Sequence, residues 1–513
     1  AKSTSAASAA NDTVDEDGKV NGIMYKEGLP LVDEGAYTFS IFCDDSSESG
    51  EFIMLDEFKK QTNVDVDLKI YPYETATERL NLDLNSGDYA DVIGGWTLSD
   101  NAILTYGVNQ GVFIPLEDYF EKYCPNISAI LDLPGVREKM TAPDGHIYTI
   151  PYVCADSTVG YSPYINTKWL ENVGMSMPTT TDEFEAVLKA FKEQDANGNG
   201  DASDEIPFST DPNNKHIEAM AGYFGLPMNK LGIAIQNEKV VYGGVSDTYR
   251  EFLSWFHKLY AEGLVDVELY TQDSSTWEGK GNQDLYGVSI AYGSGEFTGI
   301  PAAEERGDFD SMPVLNTDKD GIWLRDTEGF SVYRTQAVIT NKAEHPEIIC
   351  RWFDNAFALE NGIGCNRGPV GVIVNKEDDG YHAIDTTTLS EEDQEKYSWG
   401  NLWPQSLPKY LPADFEFVEE HPMYDEKKAT EEAYEANLTK EIIPSYWIDL
   451  DKIDTFSDTN TAIKDFFEQQ QAQFVCGELD IDNDADWQAY VDGMYSLGLE
   501  DWVATQGIEE IAK

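Results

Sequence analysis

Oxygen-bearing side chains recur at short, regular intervals in Asp195-Ala-Asn-Gly-Asn-Gly-Asp-Ala-Ser-Asp-Glu-Ile-Pro207. Asp195, Asn197 and Asn199 place side-chain oxygens at every second position, and Gly200 supplies a sharp turn. Asp201 offers its backbone carbonyl, and Ser203, Asp204 and Glu205 close the far side. Hard oxygen donors at loop positions one, three, five and seven, with glycine at six, suit a calcium ion of high coordination number. The twelfth position, a Glu in an EF-hand, is Ile206 here, so closure falls to the earlier carboxylates. The competing reading is an Asn/Gly-rich surface turn, because both residue types favour left-handed turn conformations. The loop contains no His or Cys and no water-activating arrangement, so the expected Ca2+ is structural.

A helix has to deliver this loop and a strand has to follow it. Thr180 and Glu183 form a capping box, and Phe184, Val187, Leu188 and Phe191 make the apolar stripe of the helix. Ile206–Thr210 reads as the strand. Further back, from Tyr37, β and α patterns alternate. Strands are expected at Tyr37–Cys43, Val64–Ile70 and Ala90–Gly95, and helices at Glu51–Gln61, Thr75–Leu84 and Asp100–Gly107. Later elements are the helix Thr248–Gly263, the strand Tyr286–Tyr292, the stretch Gly329–Thr340 and the helix Pro346–Asn361. The remainder, from about Ser390, reads as mainly helical. Repeated βα units place the chain in the α/β class, with a mostly parallel sheet covered on both faces. Strand ends in such a sheet form ligand crevices.

At 513 residues the chain holds two or more domains. Thirty-five basic against 95 acidic residues give 35 − 95 = −60, a field that repels nucleic acid, anionic lipid and polyanionic ligands. The six cysteines (43, 124, 154, 350, 365, 476) lack zinc spacing; they permit disulfides without assigning them, and buried thiols fit equally. No apolar run reaches the ~18 residues of a membrane span. Residues 1–36 begin with small, polar and acidic residues and are expected to be a disordered tether. The sequence has no nucleophile elbow, no phosphate loop and no dinucleotide fingerprint, and its six histidines are isolated. The expectation is a protein that is not an enzyme.

The phrase DANGNG…DEIPF, ending at Phe208, resembles the calcium loop of the extracellular solute-binding proteins that deliver sugars to ABC transporters. Within that family it is most similar to the longer members, the alginate and lipo-oligosaccharide binders. Asp88–Trp96 (DYADVIGGW), Gly111–Tyr119 (GVFIPLEDY) and Gly145–Tyr164 (GHIYTIPYVCADSTVGYSPY) resemble family segments in order and spacing. So do Tyr286–Tyr292 (YGVSIAY) and the end from Phe474 to Leu499. Some members close the calcium loop with Asp-Glu at positions nine and ten. Here the pair falls one residue later, which leaves Ser203 and Asp204 as alternative ligands.

The resemblance implies a periplasmic-binding-protein-like fold, two α/β lobes joined by a hinge with a ligand cleft between them. The N-terminal lobe is expected at 37–155 plus 329–385, and the C-terminal lobe at 156–328 plus 386–513. It also implies a monomer that closes on its ligand and delivers it to ABC permease subunits. In the family the tether follows a lipid-modified Cys outside a Gram-positive cell; that Cys is absent here, and the expectation is a form processed just after it, of an extracellular, cell-surface lipoprotein.

A sugar binder needs Trp and Tyr faces for the flat C–H sides of sugar rings, and Asp, Asn, Arg or Gln for the hydroxyls. Trp96 sits where relatives place a stacking residue, and Tyr161 lies at the expected lobe crossing. Trp277 stands in the polar stretch DSSTWEGKG, Tyr292 and Phe297 flank a glycine turn, and Trp399 and Trp403 lie in SWGNLWP. Asp44, Asp156 and Arg325 are the polar candidates. Trp169, Trp255, Trp352 and Trp487 sit on helical faces and read as core. The function expected is capture of a neutral oligosaccharide. The alternatives are a peptide or small-nutrient ligand on the same fold, or a secreted carbohydrate-active enzyme.

Overall fold

A computed structural model describes residues 12–45, 51–211, 216–299, 307–384, 386–412, 415, 417–418 and 422–512. The main-sheet strands, in chain order, are β1 (Tyr37–Asp44), β2 (Val64–Tyr71), β3 (Val92–Gly94), β4 (Thr149–Ala155), β5 (Ser162–Asn166), β6 (Ile206–Thr210), β7 (Tyr286–Ala291), β8 (Phe309–Ser311) and β9 (Phe330–Ile339). The chain divides into two compact units. One comprises Ala1–Asp156, Gly329–Glu420 and Ser445–Ile453; the other comprises Ser157–Glu328, His421–Pro444 and Asp454–Lys513.

The sheet of the first unit has the order β2-β1-β3-β9-β4. Strand β1 runs parallel to β2 and β3, whereas β9 pairs antiparallel with both β3 and β4. The reversal follows from the path of the chain: β9 forms only after the excursion through 157–328. In this sheet the carboxyl ends of β1, β3 and β4 and the first residues of β9 lie at one end. The register Cys43↔Gly94 and the pair Ala155↔Phe330 fix this arrangement. Beneath the sheet, Trp352 packs edge-on against Phe39 (5.3 Å) and Phe58 (5.5 Å) and stacks on Trp403 (5.7 Å). Each of these rings is fully buried. Burial of a large apolar side chain contributes about 1.5–3 kcal/mol, so this knot anchors the unit.

The second unit carries the sheet β8-β5-β7-β6, with β6 and β7 parallel and β5 antiparallel to β7. The helices Thr181–Glu193 and Asp247–Ala261 bury Phe184, Val187, Leu188, Phe191, Phe252 and Phe256 in its core. Thr180 Oγ1 accepts the Glu183 N–H (3.2 Å), as the capping box requires. The Glu183 carboxylate turns to the Thr179 N–H and hydroxyl (2.8 Å each).

Several expectations are corrected. Of the tether expected at 1–36, residues 1–11 lie outside the described residues, whereas 12–36, though mostly exposed, are anchored to the first unit by buried side chains. Val20, Met24, Leu31 and Val32 are buried in the core of the first unit, and the Leu31 N–H donates to the Thr62 carbonyl (2.9 Å). Residues 386–420 and 445–453, expected in the second lobe, belong to the first unit, where buried Trp403 and Leu407 complete its core. The helix expected at Asp100–Gly107 is α-helical only over Asp100–Ala102 and continues as a π-helix, Ile103–Asn109. The helix expected at Pro346–Asn361 ends at Ala356, because Ala358 is extended and starts a second helix, Leu359–Arg367.

Candidate functional site

At the carboxyl end of β1, buried Asp44 accepts the Trp96 N–H on Oδ1 (3.0 Å) and the Thr97 N–H on Oδ2 (2.6 Å). Burial pushes its carboxyl up from the usual range, against the pull of these donors. Gly95 makes the turn at φ +132°, and a Cβ there would lie 2.3 Å from Asp44 Oδ1, so only glycine fits. The turn presents Trp96 at 44 % exposure. Its ring meets Tyr333 edge-on (5.2 Å, 86°) and lies 6.5 Å from Tyr152. Tyr152 and Tyr333 are direct neighbours across β4 and β9, and their rings stack at 5.6 Å. The Tyr333 hydroxyl donates to Asp156 Oδ2 (2.8 Å). Burial, then the nearby Asp156 charge, keeps this phenol well above its usual pKa.

Trp399, 49 % exposed, is held to the same unit through Gln405 and Lys409. Gln405 Nε2 donates to the Trp399 carbonyl (2.9 Å), and Lys409 Nζ donates to Gln405 Oε1 (2.6 Å). The Lys409 ammonium stands 5.6 Å from the Trp399 ring centre and 5.7 Å from that of Tyr152. Burial brings the Lys409 pKa down to about 8.

A second aromatic group occupies the equivalent sheet end of the second unit, where β6 and β7 finish and β5 begins. Tyr161 stacks on His216 at 4.0 Å and 13°, and its ring lies edge-on to Tyr292 at 6.2 Å. Lys427 Nζ lies 4.0 Å from the centre of the Tyr292 ring and donates to the carbonyls of Gly160 (2.5 Å) and Tyr292 (2.7 Å). Burial lowers the His216 pKa to about 3, so this imidazole is neutral, and lowers Lys427 to about 8.

In the loop after Thr181–Glu193, Asp195 Oδ2 accepts the Gly200 N–H (3.0 Å). Asn197 Oδ1 accepts the Asn199 N–H (3.0 Å), and Asn199 Oδ1 accepts the Asp201 N–H (2.8 Å). Glu205 Oε1 accepts the Ala196 N–H (2.8 Å) and ties the two ends of the loop together. Asp195 Oδ1 and Glu205 Oε2 are buried and, among the described residues, have no hydrogen-bond partner. Burial raises the Glu205 carboxyl above its usual pKa. Orphaned carboxylate oxygens beside a ladder of side-chain oxygens are costly alone and match the donor chemistry of a hard cation. The donor set therefore fits Ca2+. Asp204 accepts from the amides of Asn197 and Asn199, whereas the Ser203 hydroxyl donates to Asp201 Oδ1 (2.5 Å).

Of the residues singled out in the sequence, Trp96, Asp156 and Trp399 belong to the first surface, and Tyr161 and Tyr292 to the second. Others have different surroundings. Trp277 lies on the helix Ser274–Asn282, 3 % exposed, and donates from Nε1 to Ser289 Oγ (3.2 Å). Asp273 caps that helix, so the polar stretch expected to be a loop buries its one large apolar ring. Phe297 is fully buried between Trp277 and Phe309, and Trp403 is fully buried against Trp352. Asp44 supports the Trp96 turn with both its oxygens. Arg325 donates to the Thr439 carbonyl (3.1 Å) and to Glu435 (3.1 Å) within its own unit. The six cysteines are free thiols. His382, read as isolated, meets Glu377 and Asp379 on an exposed hairpin.

Tyr152, Tyr333, His216, Lys409 and Lys427 were not singled out in the sequence. Tyr152 shared a recognised segment with Asp156 and lies on the same strand face, a two-residue periodicity that could have found it. The others depend on contacts between distant parts of the chain.

Residues 46–362 match the family described as bacterial extracellular solute-binding protein. The fructooligosaccharide ABC transporter substrate-binding protein FusA of Streptococcus pneumoniae serotype 4 is 32% identical over 379 residues, covering 71% of this chain and 68% of that protein. Two solved structures of S. pneumoniae FusA are similar at 26% identity, each covering 91% of this chain and 98% of theirs. The complex with kestose has a TM-score of 0.80, and an EF-hand mutant in complex with fructo-nystose has 0.78. With the family match spanning more than half of the sequence and this relative covering two thirds of it, the chain belongs to the bacterial extracellular solute-binding protein family.

Proposed function

We propose that this protein captures a neutral oligosaccharide outside the cell and hands it to the permease subunits of an ABC importer. The observation that carries the reading is the half-exposed Trp96 ring, set edge-on to the Tyr152–Tyr333 stack at the carboxyl end of a sheet. Flat aromatic faces beside Asp156 suit a sugar ring and its hydroxyls, because C–H faces pack on π-systems while carboxylates accept O–H donors. A net charge of −60 disfavours uronic-acid polymers. Similarity to a fructooligosaccharide-binding protein supports kestose and nystose as the first ligands to test.

The reading assigns binding without turnover. It also includes a monomer tethered by lipid at the surface of a Gram-positive cell, in keeping with the family's extracellular character and the streptococcal relative. Among the described residues no helix is long and apolar enough to cross a membrane. Asp195, Asn197, Asn199, the Asp201 carbonyl, Asp204 and Glu205 would hold a structural Ca2+, and the relative studied as an EF-hand mutant supports such a site. Bound there, the ion supplies cross-linking of the loop to the strand it precedes. Isothermal calorimetry against kestose, nystose and gluco-, xylo- and manno-oligosaccharides tests the proposal. A saturable heat with one class supports it. Silence with all of them at millimolar concentration, or slow release of shorter sugars, contradicts it.

A further inference from the structure

Lys409 is 1 % exposed, yet none of the ion pairs among the described residues includes it. A buried ammonium without a carboxylate needs other partners, because desolvating a lone charge is expensive. Among the described residues its ammonium donates to Gln405 Oε1 (2.6 Å) and stands beside the rings of Tyr152 (5.7 Å) and Trp399 (5.6 Å), with Cys154, Cys365, Arg367 and Asp45 near enough to act on its charge. The same Gln405 donates to the Trp399 carbonyl (2.9 Å), and its own N–H donates to buried Asp45 (2.7 Å). The Lys409–Gln405 pair therefore grips Trp399 at both backbone and ring. Trp399 remains half exposed, and Tyr152 belongs to the Trp96–Tyr333 group.

We propose that Lys409 is a positioning residue, whose buried ammonium holds the Tyr152 and Trp399 rings as one platform for a sugar ring. The inference rests on the oligosaccharide reading and deepens it, by joining Trp399 to the Trp96 surface through a group that touches no ligand. A cation between two rings also polarises them, and this attraction grows when water is excluded.

The test compares the parent with Lys409→Met and Lys409→Gln, using whichever variants keep the parental near-ultraviolet circular dichroism. Two readouts are taken. In ligand-free protein, Trp399 emission and acrylamide quenching are obtained as the difference from Trp399→Leu; both are expected to change when Lys409 is replaced. Kestose affinity by calorimetry is expected to fall about tenfold as the two rings lose their common orientation. In a Trp399→Leu background the same replacement is expected to cost less than threefold, because its route through Trp399 is gone. A purely structural lysine would lower thermal stability and leave this coupling at zero. Unchanged Trp399 emission overturns the inference whatever the ligand. So does parental kestose affinity in a folded Lys409 variant, or an equal loss in both backgrounds. Failure of the parent itself to bind kestose contradicts the ligand reading and leaves the emission readout to decide the role of Lys409.

Discussion

The carboxylate of Asp44 holds the backbone N–H groups of Trp96 and Thr97, one on each oxygen, at 3.0 and 2.6 Å. A group at the end of one strand thereby fixes the turn after another, and the turn fixes an exposed indole. Asp44→Ala removes both acceptors and leaves two N–H groups without partners. Hydrogen bonds to charged groups contribute about 1.5–3 kcal/mol each, so a stability loss of about 3 kcal/mol or more is expected in urea unfolding. Ligand affinity falls with it, because Trp96 loses its orientation. Asp44→Asn keeps one acceptor and is expected to lie between the two.

Trp96 and Trp277 should separate binding from folding. Trp96→Ala removes a ring that is 44 % exposed, so the melting temperature stays within about 2 °C while affinity drops about 10- to 100-fold, as for an aromatic anchor. Trp277→Ala empties a buried site next to Phe297 and costs about 3–5 kcal/mol of stability. Calorimetry and thermal melts on both variants check the contrast.

That contrast also shows where sequence reading stops. The oxygen ladder of 195–205, the strand Ile206–Thr210 and the helix stripe from Phe184 to Phe191 were legible because each is set by neighbours within one or two turns. Trp277 and Phe297 were misread because polar flanks describe the outside of a short helix and say nothing about what its inner face meets. Trp403 was misread for a similar reason, since its partner Trp352 is distant in sequence. Tyr152 and Tyr333 become neighbours only through the β4–β9 pairing, which no local pattern announces. The packing of Val20, Met24, Leu31 and Val32 was hidden because a few apolar residues in an acidic stretch resemble a solvated tether.

Removing calcium should lower stability. A cation that satisfies Asp195 Oδ1 and Glu205 Oε2 stabilises the folded state by mass action, about 2.7 kcal/mol at 100 times its dissociation constant. Chelation is expected to lower the melting temperature by several degrees, and added calcium to restore it. Asp195→Ala should abolish that response. Because burial raises the Glu205 carboxyl, the calcium response should weaken on acidification sooner than an ordinary carboxylate would allow.

Raising the pH should act through Lys409 on folding and on binding in opposite directions. Burial lowers Lys409 and Lys427 from 10.5 to about 8 in the folded protein. Between about pH 8 and 10.5 the unfolded chain then binds more protons, so these two groups make stability rise with pH in that window. Lys409 faces Cys154, Cys365, Arg367 and Asp45; burial holds the Cys154 thiol up at about 12 and lifts Cys365 as well. Lys427 faces Glu296, Asp326, Glu431 and Glu426. Loss of the Lys409 charge should weaken sugar binding over the same range. Urea unfolding and calorimetry at pH 7 and 9.5, each taken as the difference between the parent and Lys409→Met, read the two trends, because the buried thiols push folding stability the other way over the same range.

The most direct test of the central claim is calorimetric titration of the calcium-loaded protein with kestose, alongside Trp96→Ala. A saturable, roughly one-to-one heat is expected for the parent, with a loss of about tenfold or more in affinity for the variant at unchanged fold. Equal binding by both proteins, or none by the parent to any neutral oligosaccharide, would contradict it.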